Sequence, residues 1–414
     1  MVLTTTVIYG ILAGLIPLSW IAYRIGSGKA IGFEKTATLH SRPAMHGWYV
    51  VATTALPSML VLVVFALLHV TKLYQAPAIL LFAALFVVVA GGFFLGVRTL
   101  SPSLRARNHV ESVAEWVLIA ASCISILTTV GIVFSIVFEA IHFFQLVGFW
   151  NFLTGTSWNP DTAFLEGAGR SGDESAKAQF GSVPVFAGTF LITFLALLVA
   201  VPVGLYSAIY LSAYASYHFR QVVKPVLEIL AGIPTVVYGF FATITVSPLI
   251  VEAAEFFGLE ASYTNALSPG IVMGIMIIPL VSSLSDDVIN AVPQSLREGS
   301  LALGMTVSET MKNVILPAAL PGVVSAVLLA MSRAIGETMI VVMAAGLDAN
   351  LTLNPLEGVT TVTVRIVDAL TGDQEFNSPA TLSAYGLGFV LLIVTLILNV
   401  GSSVVVRRFR ERYE

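Results

Sequence analysis

Apolar residues in this chain cluster in runs of about twenty, the length needed to cross ~30 Å of hydrocarbon at ~1.5 Å per helical residue. Nine such runs are legible, at 2–22, 50–69, 76–97, 116–138, 186–212, 222–250, 268–284, 318–347 and 384–406. Pro202, Gly204, Gly232, Pro234 and Gly239 interrupt the fifth and sixth. Such residues are tolerated in membrane helices where neighbours or cavity water satisfy the freed backbone groups. The first run has no basic residue ahead of its apolar core and no small-x-small site, so it reads as a retained span rather than a signal peptide. The pattern predicts an all-α integral membrane protein of about nine transmembrane helices.

Composition agrees. Of 414 residues, 57% are hydrophobic and 11% charged, against roughly a quarter charged in soluble domains. A net charge of −4 without a basic, aromatic-interleaved stripe gives a nucleic-acid role no support. The single cysteine, Cys123, lies in an apolar run and is expected to be a packing residue; it cannot form an internal disulfide, and no Cys/His cluster has metal-ligand spacing.

Charge also orients the spans. With the C-terminal Arg407, Arg408, Arg410 and Arg412 in the cytoplasm, loops 23–49, 98–115, 213–224, 285–315 and 407–414 fall inside and hold 15 of the 20 basic residues. The loops on the other side hold Lys72, Arg170, Lys177 and Arg365, together with 13 acidic residues including Asp161, Glu166, Asp173, Glu174 and Glu260. An odd number of spans then places the N-terminus outside. Gly167–Lys177 reads as a mobile loop tip. The chain divides near residue 110: residues 1–110 form a region of about three helices without charge in their interiors, and 111–414 a six-helix unit.

Two features of that unit carry chemistry. Within the cytoplasmic loop 285–317 stand Arg297-Glu298-Gly299-Ser300-Leu301-Ala302-Leu303-Gly304 and Val314-Ile315-Leu316-Pro317. The ABC-importer permease signature is Glu-Ala-Ala, three residues, Gly, nine residues, Ile, any residue, Leu-Pro. Glu298, Gly304, Leu316 and Pro317 keep its spacing, while Gly299, Ser300 and Val314 replace its alanines and isoleucine. A short helix with small residues on one face lets its backbone approach a partner groove closely. It would pass motion from a soluble motor without doing chemistry itself. The bland alternative is an ordinary amphipathic loop helix.

The second feature is Arg333-Ala334-Ile335-Gly336-Glu337 in the eighth run, where Arg333 falls near the midplane. A lone arginine there costs about 2.5–3.5 kcal/mol on insertion scales. In a continuous helix Glu337, four residues on, shares its face and pairs with it. Such charges face a bundle interior or a water-filled path, or else form a buried pair that only fixes helix packing. A guanidinium suits a tetrahedral oxyanion because its planar fork donates two parallel hydrogen bonds and stays charged. Gly336 is consistent with close backbone approach.

These residues resemble the PstC-type permeases of phosphate ABC importers over roughly 115–406. The resemblance is carried by Trp158-Asn159-Pro160, by Phe180-Gly181 through Gly188-Thr189, by Ala231 to Gly239, by the coupling loop, and by Arg333 to Thr338 followed by Met339. The sister permeases tend to follow Gly-Glu-Thr with Ala-Pro. The resemblance implies a six-helix type I permease core in a bacterial inner membrane, preceded here by three further helices. It implies a second, PstA-type permease, a dimer of PstB-type ATP-binding subunits and an external PstS-type phosphate-binding protein. It assigns Arg333, Glu337 and Thr338 to the anion path, and Glu298, Gly299, Ser300, Gly304, Leu316 and Pro317 to ATPase coupling. The N-terminal helices and a long loop at 154–182 depart from the family pattern.

The chain has no Gly-x-x-x-x-Gly-Lys-Ser/Thr phosphate loop, no His-Glu-x-x-His, no Gly-x-Ser-x-Gly and no Cys-x-x-Cys. It is therefore expected to be no enzyme and to hold no cofactor, with ATP and Mg on a partner. Three other readings stay open at this point. One is a permease for molybdate, sulfate or phosphonate; another is an ion-coupled secondary transporter with interrupted helices. The third is an added signalling role for the first three spans.

Overall fold

A computed structural model of the chain describes residues 5–34, 37–70, 78–160, 179–372 and 378–410. The loop tip at Gly167–Lys177, the residues Asp161, Glu166, Asp173, Glu174, Lys72 and Arg170, and the tail residue Arg412 lie outside them. Among the described residues the chain is all-α apart from one two-residue strand pair, and eight helices are long and apolar enough to cross a membrane. It falls into two compact units, Met1–Gly131 and Ile132–Glu414.

The first unit holds α1 (Thr5–Glu34), α2 (Pro43–Val70), α3 (Ala78–Arg98) and the start of α4 (Ala106–Val147). α1 extends well past the run at 2–22 and is not among the eight membrane-length apolar helices. The α1–α3 pack round Ala22, Val50 and Leu100 at one level and Leu81 and Leu85 at another. At 42 residues α4 is ~63 Å long, twice the hydrocarbon thickness. Its apolar stretch turns Trp116, Leu118, Ile126 and Phe134 outward. Cys123 is exposed on this surface, contrary to the packing role expected of it, because no other described residues cover α4 here.

In the second unit α5 (Phe149–Thr154) leads to β1 (Trp158–Asn159), which pairs antiparallel with β2 (Gln179–Phe180), Trp158 opposite Phe180. Phe143, Phe152, Trp158 and Phe180 close over this pair edge to face. The conspicuous Trp158-Asn159-Pro160 and Phe180-Gly181 stretches thus form an aromatic anchor. Next come α6 (Val183–Ala213), α7 (Tyr217–Ala231), α8 (Thr235–Phe256), α9 (Leu267–Ala291), α10 (Gln294–Ala302), α11 (Val307–Ile335), α12 (Met339–Ala344), α13 (Val362–Gly372) and α14 (Pro379–Arg410). The α6 and α9 helices pack along their length, and Ala196, Ala200, Met273, Met276, Ile277 and Val281 form a core with Ala330, Ala334, Ile340 and Ala344.

Two expected spans are redrawn. The run at 222–250 is two elements, the amphipathic α7 and the membrane-length α8, because Gly232 and Pro234 stop the first helix before the second begins at Thr235. The run at 318–347 breaks after Ile335 and resumes as α12. A π-turn at Ala242–Val246 precedes Pro248, and another at Met311–Ile315 precedes Pro317. Proline cannot donate to the ladder and crowds the carbonyl four residues back, so widening the preceding turn relieves both conflicts.

The loops meet at two ends of the unit. The α7 helix is tied to the end of α9 that leads into α10, so segments 213–224 and 285–315 share one end of the unit. At the other end, Ala266 N–H and Leu267 N–H donate to Glu357 O and Pro355 O at 3.0 and 2.9 Å, joining loops 251–267 and 348–361.

Candidate functional site

The coupling loop folds as a compact helical corner. Pro293 opens α10, and the chain leaves it through Leu303 into Gly304 at φ 85°, a left-handed turn that glycine adopts without strain. The Gly304 N–H donates to Leu301 O at 2.9 Å and the Met305 N–H to Ser300 O at 3.2 Å, which satisfies the last carbonyls of the helix. The Thr306 hydroxyl and Glu309 carboxylate then form a reciprocal capping box that starts α11. Glu298 and Gly299 are exposed, and a side chain at Gly299 would meet open space. Ser300 is instead buried, its Oγ donating to Arg297 O at 2.8 Å and lying 2.9 Å from Thr310 Oγ1. Leu316 and Pro317 are half-buried just past the π-turn. The corner so built offers Glu298, Gly299 and the exposed Leu296, Leu301 and Leu303 on its outer side.

Arg333 stands in the last turn of α11, and among the described residues no ion pair joins it to Glu337. The expected i,i+4 pairing fails because the helix does not continue. Gly336 caps α11, its N–H reaching Ser332 O and Ala334 O, and Thr338 leaves helical geometry at φ −117°, ψ −52°. Glu337 turns the other way, and its Oε1 accepts from the Met339 N–H at 3.1 Å and the Ile340 N–H at 3.5 Å. These are two of the amides that the first turn of α12 leaves without helical partners. The Glu337 carbonyl also accepts from Thr363 Oγ1 at 2.8 Å, and the Val362 N–H donates to Thr189 Oγ1 at 3.0 Å, so the break is pinned to α13 and α6. Gly336 admits no close neighbour, since a Cβ there would meet only Ser332 O and Arg333 O at 3.6 and 3.7 Å. Its use is as a cap. Arg333 is exposed, with no hydrogen-bond or ionic partner among the described residues, while Glu337 and Thr338 are half-buried.

The family model described as binding-protein-dependent transport system inner membrane component matches residues 200–414, the stretch that contains both the corner and the break. The chain belongs to this family. A second model, described as phosphate ATP-binding cassette transporter, matches residues 12–80 of the importer permease, a range that includes α2 and parts of α1 and α3. The permease is 34% identical over 246 residues to the probable ABC transporter permease protein YqgH of Bacillus subtilis, covering 59% of this chain and 74% of that one. It is 31% identical over 315 residues to the phosphate transport system permease protein PstC 1 of Mycobacterium tuberculosis, covering 71% and 92%. With PstC of Pasteurella multocida it shares 31% over 292 residues, covering 66% and 84%. As a permease subunit of an ABC importer it leaves ATP hydrolysis to a separate subunit. Among the described residues no group of three His, Cys, Asp or Glu side chains is placed to hold a metal.

Sequence reasoning missed one cluster in the permease. Asp286, 2% exposed near the end of α9, accepts from Arg220 Nη2 at 3.0 and 2.8 Å, from Lys224 Nζ at 3.2 Å and from Asn290 Nδ2 at 2.8 Å. Lys224 also reaches Asp287 at 3.3 Å. Burial opposes the Lys224 charge, but the hydrogen bonds to Asp286 and Asp287 outweigh it and hold the ammonium above the usual lysine range. The available signal was the i,i+4 spacing of Arg220 and Lys224 together with an Asp-Asp step closing an apolar run.

Proposed function

We propose that this permease forms, with a second permease subunit, the membrane path for inorganic phosphate released by an external binding protein. Its α10 corner seats on the ATP-binding subunits that hold ATP and Mg. The observation that carries the path assignment is Arg333, an exposed guanidinium without a partner among the described residues, in an apolar membrane helix. Leaving it against lipid costs about 2.5–3.5 kcal/mol, so it belongs on a hydrated conduit or at a subunit seam. There its fork of donors meets an oxyanion directly. Glu337 fixes the helix break that follows Arg333, and the Thr338 hydroxyl at that break offers a further donor for the anion. The names of the relatives support phosphate as the cargo, and the exposed face of α10, with Glu298 and Gly299 outermost, supports the docking assignment. The loop charges and the family support a bacterial inner membrane with the α10 end and the C-terminus in the cytoplasm; the external N-terminus rests on counting α1 as a further span.

The test is uptake into proteoliposomes holding the complete complex and its binding protein, with labelled phosphate against excess sulfate or molybdate. Phosphate uptake that resists both competitors and is abolished by Arg333→Ala in an assembled complex is the expected result. Uptake undiminished in Arg333→Ala would refute the path, and displacement by sulfate or molybdate at parity would refute the cargo.

A further inference from the structure

The α7 helix is held to the permease in an unusual way. None of its residues is buried: Val222, Val226 and Ile229 on one face point outward, Phe219 beside them meets the edge of the Tyr210 ring, and on the inner face Val223, Leu227 and Leu230 are only half-buried. Apolar packing against the rest of this chain is therefore shallow and does not by itself fix the helix's register. What does is the ionic cluster: Arg220 and Lys224, one turn apart on the opposite face, close on the single buried carboxylate of Asp286. Asn290 supplies a further donor, and Asp287 balances the second cation. The two cations and two carboxylates sum to zero charge. Every hydrogen bond that crosses between the helices is directional, and a carboxylate gripped from two positions of one helix defines that helix's register. Buried ion pairs contribute weakly to stability against an apolar replacement, and fixing a register is their best-attested use.

The elements on either side of this grip give it a mechanical meaning. Five residues beyond Asp286, α9 ends and the chain turns through Val292 and Pro293 directly into α10. From the other side of the grip, α7 runs through Gly232 to Pro234 into α8, a corner stiffened by Tyr238 Oη donating to Leu230 O at 2.9 Å. The α8 helix then lies against α12. A Cβ added at Gly239 would stand 2.9 Å from Met343 Sδ and 3.0 Å from Met339 O, and Thr243 Oγ1 donates to Met343 O at 2.9 Å. The first amide of α12 is the one that Glu337 holds. A continuous set of contacts thus runs from α10 through α9, the ion cluster, α7 and α8 to the helix break beside Arg333. Its charged link is the cluster.

We propose that Arg220, Lys224 and Asp286 form a latch that makes α7 follow the end of α9, so that displacement entering at α10 reaches the helix break at Gly336–Thr338. Resting on the assignment of α10 as the ATPase-docking corner, it names positioning residues for coupling rather than groups that touch the cargo. Contiguity alone does not establish coupling, so the test is a double-mutant cycle on a coupling readout. In proteoliposomes with ATPase subunits and binding protein, ATP hydrolysed per phosphate imported is measured for wild type, Asp286→Asn, Arg220→Gln and the pair combined. Each single variant is expected to raise that ratio at least about fivefold, the lower end of typical coupling between sites. The combined variant is expected to be no worse than the single ones, because either change already opens the latch. Should Asp286→Asn fail to assemble, Lys224→Gln, which removes a one-third exposed partner and leaves the buried pair, is expected to raise the ratio by a smaller factor. An unchanged ratio in assembled Arg220→Gln and Lys224→Gln complexes, or strictly additive effects in the cycle, overturns the latch. Glu298→Lys run alongside separates the two readings. Intact coupling in that variant removes α10 as the docking corner, whereas intact coupling in the latch variants alone leaves the corner standing.

Discussion

Ser300 offers a measurement on the coupling corner that the structure makes quantitative. The family signature has alanine at this position, so Ser300→Ala restores the consensus and leaves the outer surface of α10 unchanged. Inside the corner it removes the hydroxyl that lies 2.9 Å from Thr310 Oγ1 and 2.8 Å from Arg297 O. Ser300 is 5% exposed and Thr310 3%, so water does not take the vacated place and the threonine hydroxyl loses its cross-helix partner. Stranding a buried polar group costs about 1–3 kcal/mol, whereas removing both partners of a buried pair is nearly neutral. The first substitution should therefore raise the equilibrium for local opening of the corner by about 5–150-fold, the factor those energies imply. Adding Thr310→Val should bring it back toward the wild-type value. Hydrogen exchange of the Leu303, Gly304 and Met305 amides reads this directly. Their acceptors, Gly299 O, Leu301 O and Ser300 O, at 3.2, 2.9 and 3.2 Å, hold the turn closed. Exchange in Ser300→Ala equal to wild type, or a double variant whose effect is the sum of the two single ones, would show that the hydroxyl pair does not join α10 to α11.

Three further outcomes are expected. Arg333→Lys keeps a charge but loses the planar fork, and phosphate uptake should fall about tenfold or more; uptake within twofold of wild type would mean that charge alone is sensed. Glu337→Gln retains an oxygen for the Met339 amide and should keep the break and much of the uptake. Glu337→Ala should lose about 0.5–2 kcal/mol in thermal or chemical unfolding, as other capping side chains do, and equal behaviour of the two would refute the capping role. Glu298→Lys and Gly304→Trp should each uncouple ATP hydrolysis from uptake, the second by forcing a bulky side chain into a left-handed turn; normal transport by both would refute ATPase docking at this corner.

Much of this architecture was open to a reader of the sequence. The membrane-length helices follow from runs of apolar residues, which are local, and the coupling corner from four residues at fixed spacing within twenty positions. The Gly304 turn and the Thr306–Glu309 capping box are likewise written in adjacent residues. The Arg333–Glu337 pair was misread for a physical reason. Spacing of four implies contact only along an unbroken helix, and the break at Gly336–Thr338 turns the two side chains to different partners. The split of the run at 222–250 was signalled by Gly232 and Pro234 but masked by the apolar residues on both sides.

Local pattern determined that this chain lies in a membrane, roughly where its helices run, and that a small-residue corner projects from one end. Tertiary structure alone decided which charges meet. Arg220 and Asp286 are 66 residues apart, and only the packing of the helices between them brings a guanidinium to one particular carboxylate. Conversely, residues four apart at Arg333 and Glu337 were separated, because the amides at the start of α12 offered the carboxylate a nearer partner than the guanidinium did.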